Sequence, residues 1–363
     1  MKTTHSIYFS PSQVMSELSD NSVDLVITSP PYPMIEMWDE IMSNQNPAIK
    51  NAFEKNDPNS AFDLMHQELD KVWKECYRVI KDGGFLCINI GDATRTIKGN
   101  FRLYNNHSRI TSYCLTLGFS NLPNIIWRKQ TNAPNKFMGS GMLPCGAYVT
   151  LEHEYILVFR KGEKREYKTT DSKFLRRQSS FFWEERNLWF SDLWDLKGVK
   201  QKIGDSETRD RSAAFPLEVP YRIINMYSQR GDLVLDPFIG TGTTTQAAIL
   251  LERNSVGYEI DNGFSRMIED NIMSWKVSSM NAMIKDRYDA HIAFINERTQ
   301  NKGVPSHFNK YLNCRVITGQ EEDLELHYLT EVFCDSKSSL CFTARYEQNS
   351  NLAAPPTHSG LLF

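Results

Sequence analysis

The segment Val23-Asp24-Leu25-Val26-Ile27-Thr28 is apolar and β-branched enough to be a buried strand, and it stops at Ser29-Pro30-Pro31-Tyr32. Two adjacent prolines have no backbone N–H to give a ladder, so the chain must leave the sheet there. Helix and strand then alternate. Leu64, Leu69, Val72, Trp73, Cys76 and Ile80 recur at helical spacing, which predicts a helix over 61–80 ended by Gly83-Gly84. Strands are predicted at 85–90, 124–128 and 155–159, a helix at about 106–117, and a long loop over the polar residues 33–60. Later, a helix to about 227, a strand at 233–235, a helix over 242–251 and a strand at 255–260 follow one another. A long helical stretch begins near 275, and the tail beyond it carries no readable pattern. This rhythm predicts an α/β fold around a mostly parallel, twisted sheet with helices on both faces.

A chain of 363 residues can hold one large catalytic domain and a smaller module. No apolar run approaches the roughly 20 residues of a membrane span, and Met1–His5 has no secretory pattern. The seven cysteines are scattered without a Cys-x-x-Cys pair, which fits a reduced, cytoplasmic protein and no metal site. A net charge of −3 does not by itself suggest nucleic acid, but its distribution does. From Ala93 to Leu151 there is no acid, against seven basic residues: Arg95, Lys98, Arg102, Arg109, Arg128, Lys129 and Lys136. Residues 160–211 carry 14 Lys/Arg against 10 Asp/Glu, with many aromatics that suit a small core. Local positive potential of this kind suits phosphate; a surface whose acids lie elsewhere in the chain would give the same pattern.

The turn Asp236-Pro237-Phe238-Ile239-Gly240-Thr241-Gly242-Thr243-Thr244 lies between a predicted strand and a predicted helix. Glycines there let backbone approach a ligand at the carboxyl end of a parallel strand. The turn lacks the third glycine of a dinucleotide fingerprint and the Gly-Lys-Ser/Thr of a phosphate loop. Asp236 at the strand end suits a cationic sulfonium amino acid better than a pyrophosphate. Glu259 ends the next strand, where an acid accepts ribose hydroxyls.

Ser29-Pro30-Pro31-Tyr32 has the makings of an amine-activating loop. An exocyclic base nitrogen is a poor nucleophile until acceptors hold its two N–H groups and let it become tetrahedral. The Ser29 hydroxyl and the Pro30 carbonyl are the candidate acceptors, held rigid by the prolines. Tyr32 offers a ring for an extruded base. No covalent enzyme intermediate is needed.

Together these two segments resemble the amino-methyltransferases of bacterial restriction-modification systems, in the permuted β group that places the catalytic motif first. The resemblance implies a seven-stranded sheet with one antiparallel strand, S-adenosylmethionine as cofactor, duplex DNA as partner and pairing with a restriction endonuclease. Ser at position 29 is similar to the cytosine-N4 enzymes, whereas adenine enzymes usually carry Asp or Asn there. The segment 214–224, with Phe215, resembles the helix that closes over the methionine part, so the implied cofactor set is Asp236, Pro237, Phe238, Gly240, Gly242, Thr243, Glu259 and Phe215. Gly83-Gly84 through Gly91-Asp92, and Glu152-His153-Glu154-Tyr155, match weaker family patterns. One departure stands out: after Ile7-Tyr8-Phe9 the family has Gly-Asp, its acid reading the cofactor adenine, but here Ser10-Pro11-Ser12 stands instead.

The expected partition is a catalytic half over 1–160, target recognition over 161–211, a cofactor half over 212–275 and an extension over 276–363. Arg176, Arg177, Arg186 and Lys197 are the candidate DNA contacts. Oligomeric state is open between monomer and homodimer. A carbon-5 cytosine mechanism would need Cys145 of Pro144-Cys145 as nucleophile, far from the catalytic loop and without a partner Glu-Asn-Val segment. An RNA- or protein-amino methyltransferase would usually place the cofactor motif first. A non-catalytic DNA-binding module would not need the Asp236 turn. If the amino-transfer reading holds, the ends of the strands at Ser29 and Asp236 face one cleft.

Overall fold

The computed structural model describes residues 1–129, 141–198, 215–335 and 340–347, with the backbone of 138–139. Lys136, all of 199–214 and the final residues lie outside this set.

Strand β1 (Lys2–Tyr8) and strand β2 (Val23–Thr28) open the chain, followed by helices α1 (Asp39–Gln45), α2 (Pro47–Glu54) and α3 (Pro58–Val79). The long loop expected over 33–60 is therefore mostly helical. Asn46 accepts from Ala48 N and Asp57 from Ser60 N, each followed by a proline in the first turn. Asn-Pro and Asp-Pro, which read as loop signals, here act as cap and first helical residue.

Strand β3 (Ile80–Ile90), the hairpin β4 (Ala93–Ile97) and β5 (Asn100–Tyr104), helix α4 (Asn106–Thr116) and strands β6 (Phe119–Asn121) and β7 (Ile125–Arg128) follow. Next come the short pair β8 (Met138–Gly139) and β9 (Ala147–Tyr148), then β10 (His153–Lys161), α5 (Thr170–Gln178), α6 (Trp183–Trp189) and β11 (Leu193–Asp195). The second half holds α7 (Glu218–Tyr227), β12 (Leu233–Asp236), α8 (Thr243–Leu250), β13 (Asn254–Tyr258), α9 (Ser265–Met273) and α10 (Val277–Lys302). Strands β14 (His307–Asn309), β15 (Cys314–Val316), β16 (Leu329–Cys334) and β17 (Leu340–Tyr346) complete the described chain.

The central sheet runs β11-β7-β10-β3-β2-β12-β13-β1-β17-β16, with β6 also paired to β10. The seven strands from β7 to β1 in this order contain one antiparallel member, β10, as expected. Among the described residues this sheet holds eleven strands rather than seven. Strands β6 and β11 enlarge one side, and the unreadable tail supplies β17 and β16, antiparallel beyond β1. Two residue sets that gave no common pattern in sequence thus share one sheet.

Both faces of the sheet are covered. Leu25 and Ile27 pack on the side of α7, α8, α9 and α10, while Val26 faces α3 and α4. All six residues of β2 are buried, which is why its sequence is a continuous apolar run rather than an alternating one. Phe182, Trp189 and Trp194 are buried, so the aromatics of 161–211 do form core; Phe174, Trp183 and Phe190 stay partly exposed.

Candidate active site

Strands β3, β2, β12, β13 and β1 are mutually parallel, so Ile90, Thr28, Asp236, Tyr258 and Tyr8 all end at one edge of the sheet. A cleft crosses that edge. It is lined by Ser29 and Pro31 after β2, by residues 236–241 after β12, by Glu259 after β13 and by residues 10–13 after β1. Phe215, Thr243 and Trp38 also line it.

Asp236 is 2% exposed. Its Oδ1 accepts from Thr28 Oγ1 at 2.6 Å and from Phe238 N at 3.0 Å, and its Oδ2 accepts from Thr244 Oγ1 at 2.6 Å. Burial pushes its carboxyl up to about 6, against the pull of these donors. Asp236 lines the cleft, and its oxygens also serve protein donors that tie three elements together. Gly242, the residue before α8, has φ +90°, a conformation that a side chain would strain. Gly242 shapes the turn but does not line the cleft.

Glu259 receives Gly240 N on Oε2 at 3.2 Å and Asp261 N on Oε1 at 3.0 Å. Burial raises its carboxyl to about 7. A carboxylate fixed this way at a strand end keeps lone pairs for a diol.

On the catalytic side, Ser29 Oγ lies 3.1 Å from Tyr32 Oη. Tyr32 donates to Glu154 Oε2 at 2.9 Å, and Asn89 Nδ2 donates to Tyr32 Oη at 2.8 Å and to Glu154 Oε2 at 2.7 Å. Lys129 pairs with the other Glu154 oxygen. Tyr32 is 7% exposed, and a Cβ at Gly91 would sit 3.0 Å from its ring. In this structure the ring is packed away, not open for stacking as the sequence suggested. Burial first, and the Glu154 charge second, raise its hydroxyl pKa well above the usual value. Pro30 is buried outside the cleft lining. Asn89 and Glu154 were not singled out as site residues from sequence. The one available signal for Glu154 was its place in Glu152-His153-Glu154-Tyr155, at the start of β10.

The basic residues are less free than their local sequence implied. Arg95 makes a two-pronged pair with Asp39, and Arg109 with Asp70. Arg177 pairs with Asp323 and donates to Gly319 O at 2.8 Å. Its neighbour Ser179 accepts from Arg230 N at 3.0 Å, three residues before β12 begins. Arg176 and Arg177 therefore sit at the sheet edge opposite the cleft, which speaks against both as contacts to a base in that cleft. Arg186 is exposed on α6, whose neighbours Glu184 and Glu185 anchor it to His291 and Arg287 of α10. Lys197 is exposed just beyond β11, at the cleft edge, beside the strand end carrying Arg128. Cys145 is exposed and does not line the cleft.

A parallel sheet with a glycine turn, a strand-end acid and a Ser-Pro-Pro-Tyr loop in one cleft defines the α/β fold of S-adenosylmethionine-dependent methyltransferases, in permuted order. Residues 23–270 match the DNA methylase family, and the chain belongs to it. It is 51% identical over 330 residues to the type II methyltransferase M.MthZI of Methanothermobacter thermautotrophicus, covering 90% of this chain and 91% of that one. It is 50% identical over 281 residues to M.MjaI of Methanocaldococcus jannaschii, covering 74% and 91%. Among solved structures it is similar to the DNA modification methylase TTHA0409 of Thermus thermophilus in complex with S-adenosyl-L-methionine, at 29% identity and TM-score 0.58, covering 74% and 93%.

Proposed function

We propose that this protein is a site-specific DNA methyltransferase that transfers a methyl group from S-adenosylmethionine to N4 of cytosine in duplex DNA, and that it protects the DNA from a cognate restriction endonuclease. One observation carries the reading. Ser29 enters the same cleft as the glycine turn, and the residue before it is bonded to Asp236 at 2.6 Å. A nucleophile held at Ser29 is then next to whatever the turn holds.

The residues fit the cofactor. Glu259 suits the ribose diol, the turn over 236–243 the backbone-facing side, and Phe215 the methionine end. When bound, S-adenosylmethionine supplies an electrophilic methyl group on a sulfonium. Ser29 Oγ, in the cleft lining, accepts an N–H group of the target amine, so its lone pair turns toward the methyl group, and the nitrogen gives up one proton to solvent after the transfer. The Ser29–Tyr32–Glu154 chain of hydrogen bonds holds the Ser29 hydroxyl in place, with Asn89 and Lys129 fixing Glu154.

DNA is taken to approach at the cleft edge. Exposed Lys197 and Arg128, the latter 3.7 Å from Asp195, lie there and are the proposed phosphate contacts, together with exposed Lys98 on the β4–β5 hairpin. Serine at position 29 supports cytosine as the base.

The test is nucleoside mass spectrometry on DNA from cells expressing the protein, against an empty-vector control. N4-methylcytosine is expected. N6-methyladenine would overturn the base assignment alone, and no methylated base would overturn the reaction.

A further inference from the structure

The cleft crosses the strands in the order β2, β12, β13, β1, which gives it a direction. A ligand with its reactive end at Ser29 and its sugar at Glu259 must place what lies beyond the sugar over the end of β1. This rests on the cofactor reading above. At that end stand Ser10, Pro11, Ser12 and Gln13, without the acid expected there.

Gln13 Nε2 donates to Gln45 Oε1 at 2.7 Å, and both glutamines line the cleft. Gln45 is the last residue of α1, in the segment expected to be a loop. One N–H···O bond between two carboxamides uses one donor group and one acceptor. It leaves Gln13 Oε1 as an acceptor and Gln45 Nε2 as a donor. Turning both amides over exchanges the two roles but keeps one of each. The amino and ring-nitrogen edge of adenine asks for one acceptor and one donor side by side. Two more features suit a purine. Ile260, next to Glu259, is 44% exposed and gives the ring an apolar face. Ser10 Oγ is buried without a hydrogen-bond partner among the described residues, so it has a bond to give.

We infer that the Gln13–Gln45 pair reads the adenine edge of the cofactor, in place of the acid that β1 lacks. Neither glutamine touches the reacting atoms. They set cofactor affinity and base identity through two neutral hydrogen bonds rather than one charged one.

The test is calorimetry on the full-length protein with S-adenosylhomocysteine and with its analogue in which unsubstituted purine replaces adenine. The wild type is expected to bind the purine analogue about tenfold more weakly, the loss of the one neutral hydrogen bond made by the amino group. Of Gln13→Met and Gln45→Met, the one that removes the acceptor of the amino group should weaken the adenine ligand while the purine ligand changes little, so the gap closes to under about threefold; the one that removes the donor to the ring nitrogen should weaken both ligands. A substitution that merely loosens the pocket would weaken both ligands and keep the gap. A gap that persists in both variants overturns the inference while leaving the cofactor reading intact. A wild type that binds neither ligand overturns both.

Discussion

Thr28 Oγ1 donates to Asp236 Oδ1 at 2.6 Å, joining the last residue of β2 to the last residue of β12. Asp236 also accepts from Thr244 in α8, so the catalytic loop, the glycine turn and the following helix share one buried carboxylate. Loop and turn are 207 residues apart in the chain if counted from Ser29 to Asp236, yet the pairing of β2 with β12 and this contact hold them side by side.

Thr28→Val keeps the side-chain volume and removes the donor. A buried carboxylate deprived of a partner costs about 1–3 kcal/mol. Urea denaturation should show that loss, and turnover should fall at least tenfold because the loop is no longer registered on the turn. An unchanged midpoint would mean that the bond contributes nothing net.

Ser29→Ala should lower kcat by about a hundredfold or more and shift the dissociation constant for S-adenosylhomocysteine by less than threefold. The magnitude is that of removing one preorganised donor or acceptor from a reacting centre. Single-turnover kinetics and calorimetry on the same preparation separate the two. Equal losses would place Ser29 in cofactor binding instead.

Glu259 links ligand binding to pH. Its folded pKa, about 7, lies above the value of an unfolded glutamate, so the native state disfavours its charge. The stability it contributes is complete below about pH 4 and is lost as the pH rises through about 7. The free-energy difference between Glu259→Gln and wild type should therefore move in favour of the variant by about 1–3 kcal/mol between pH 5 and pH 8. Over the same range wild-type affinity for S-adenosylhomocysteine should rise, because the carboxylate accepts from both ribose hydroxyls. A flat difference measured by urea melts would remove the basis for this linkage.

Charge substitutions distinguish the two edges of the sheet. Lys197→Ala should weaken binding to any duplex and reduce the slope of log K against log salt by about 1. Arg177→Ala should leave that slope alone and destabilise the fold, since its partners are Asp323 and Gly319 O. The reverse outcome in a salt titration would return the DNA to the α5 edge.

What was legible in the sequence is local. The Ser29–Tyr32 stop, the glycine turn at 240–242 and the strand-end Glu259 each announce themselves through backbone constraints that nearby residues impose. Helices and strands with a clear period were found within a few residues, as α3 and β2 show. Where local signals have two meanings, reading failed: Asn46-Pro47 and Asp57-Pro58 were loop-like in composition and helix-starting in fact. Charge was the least readable property. Arg95, Arg109 and Arg177 find acids 56, 39 and 146 residues away, and nothing in their own neighbourhood foretells it.

By itself, then, the sequence determined which segments carry chemistry, because rigid prolines, permissive glycines and a buried apolar run act on the residues beside them. The tertiary structure alone decided which segments meet. It brought Thr28 to Asp236, Gln13 to Gln45 and Tyr32 to Glu154, and carried the tail onto the sheet as β16 and β17. Those pairings follow from strand order, and strand order is set by burying both faces of one sheet at once, a property of the whole chain rather than of any part.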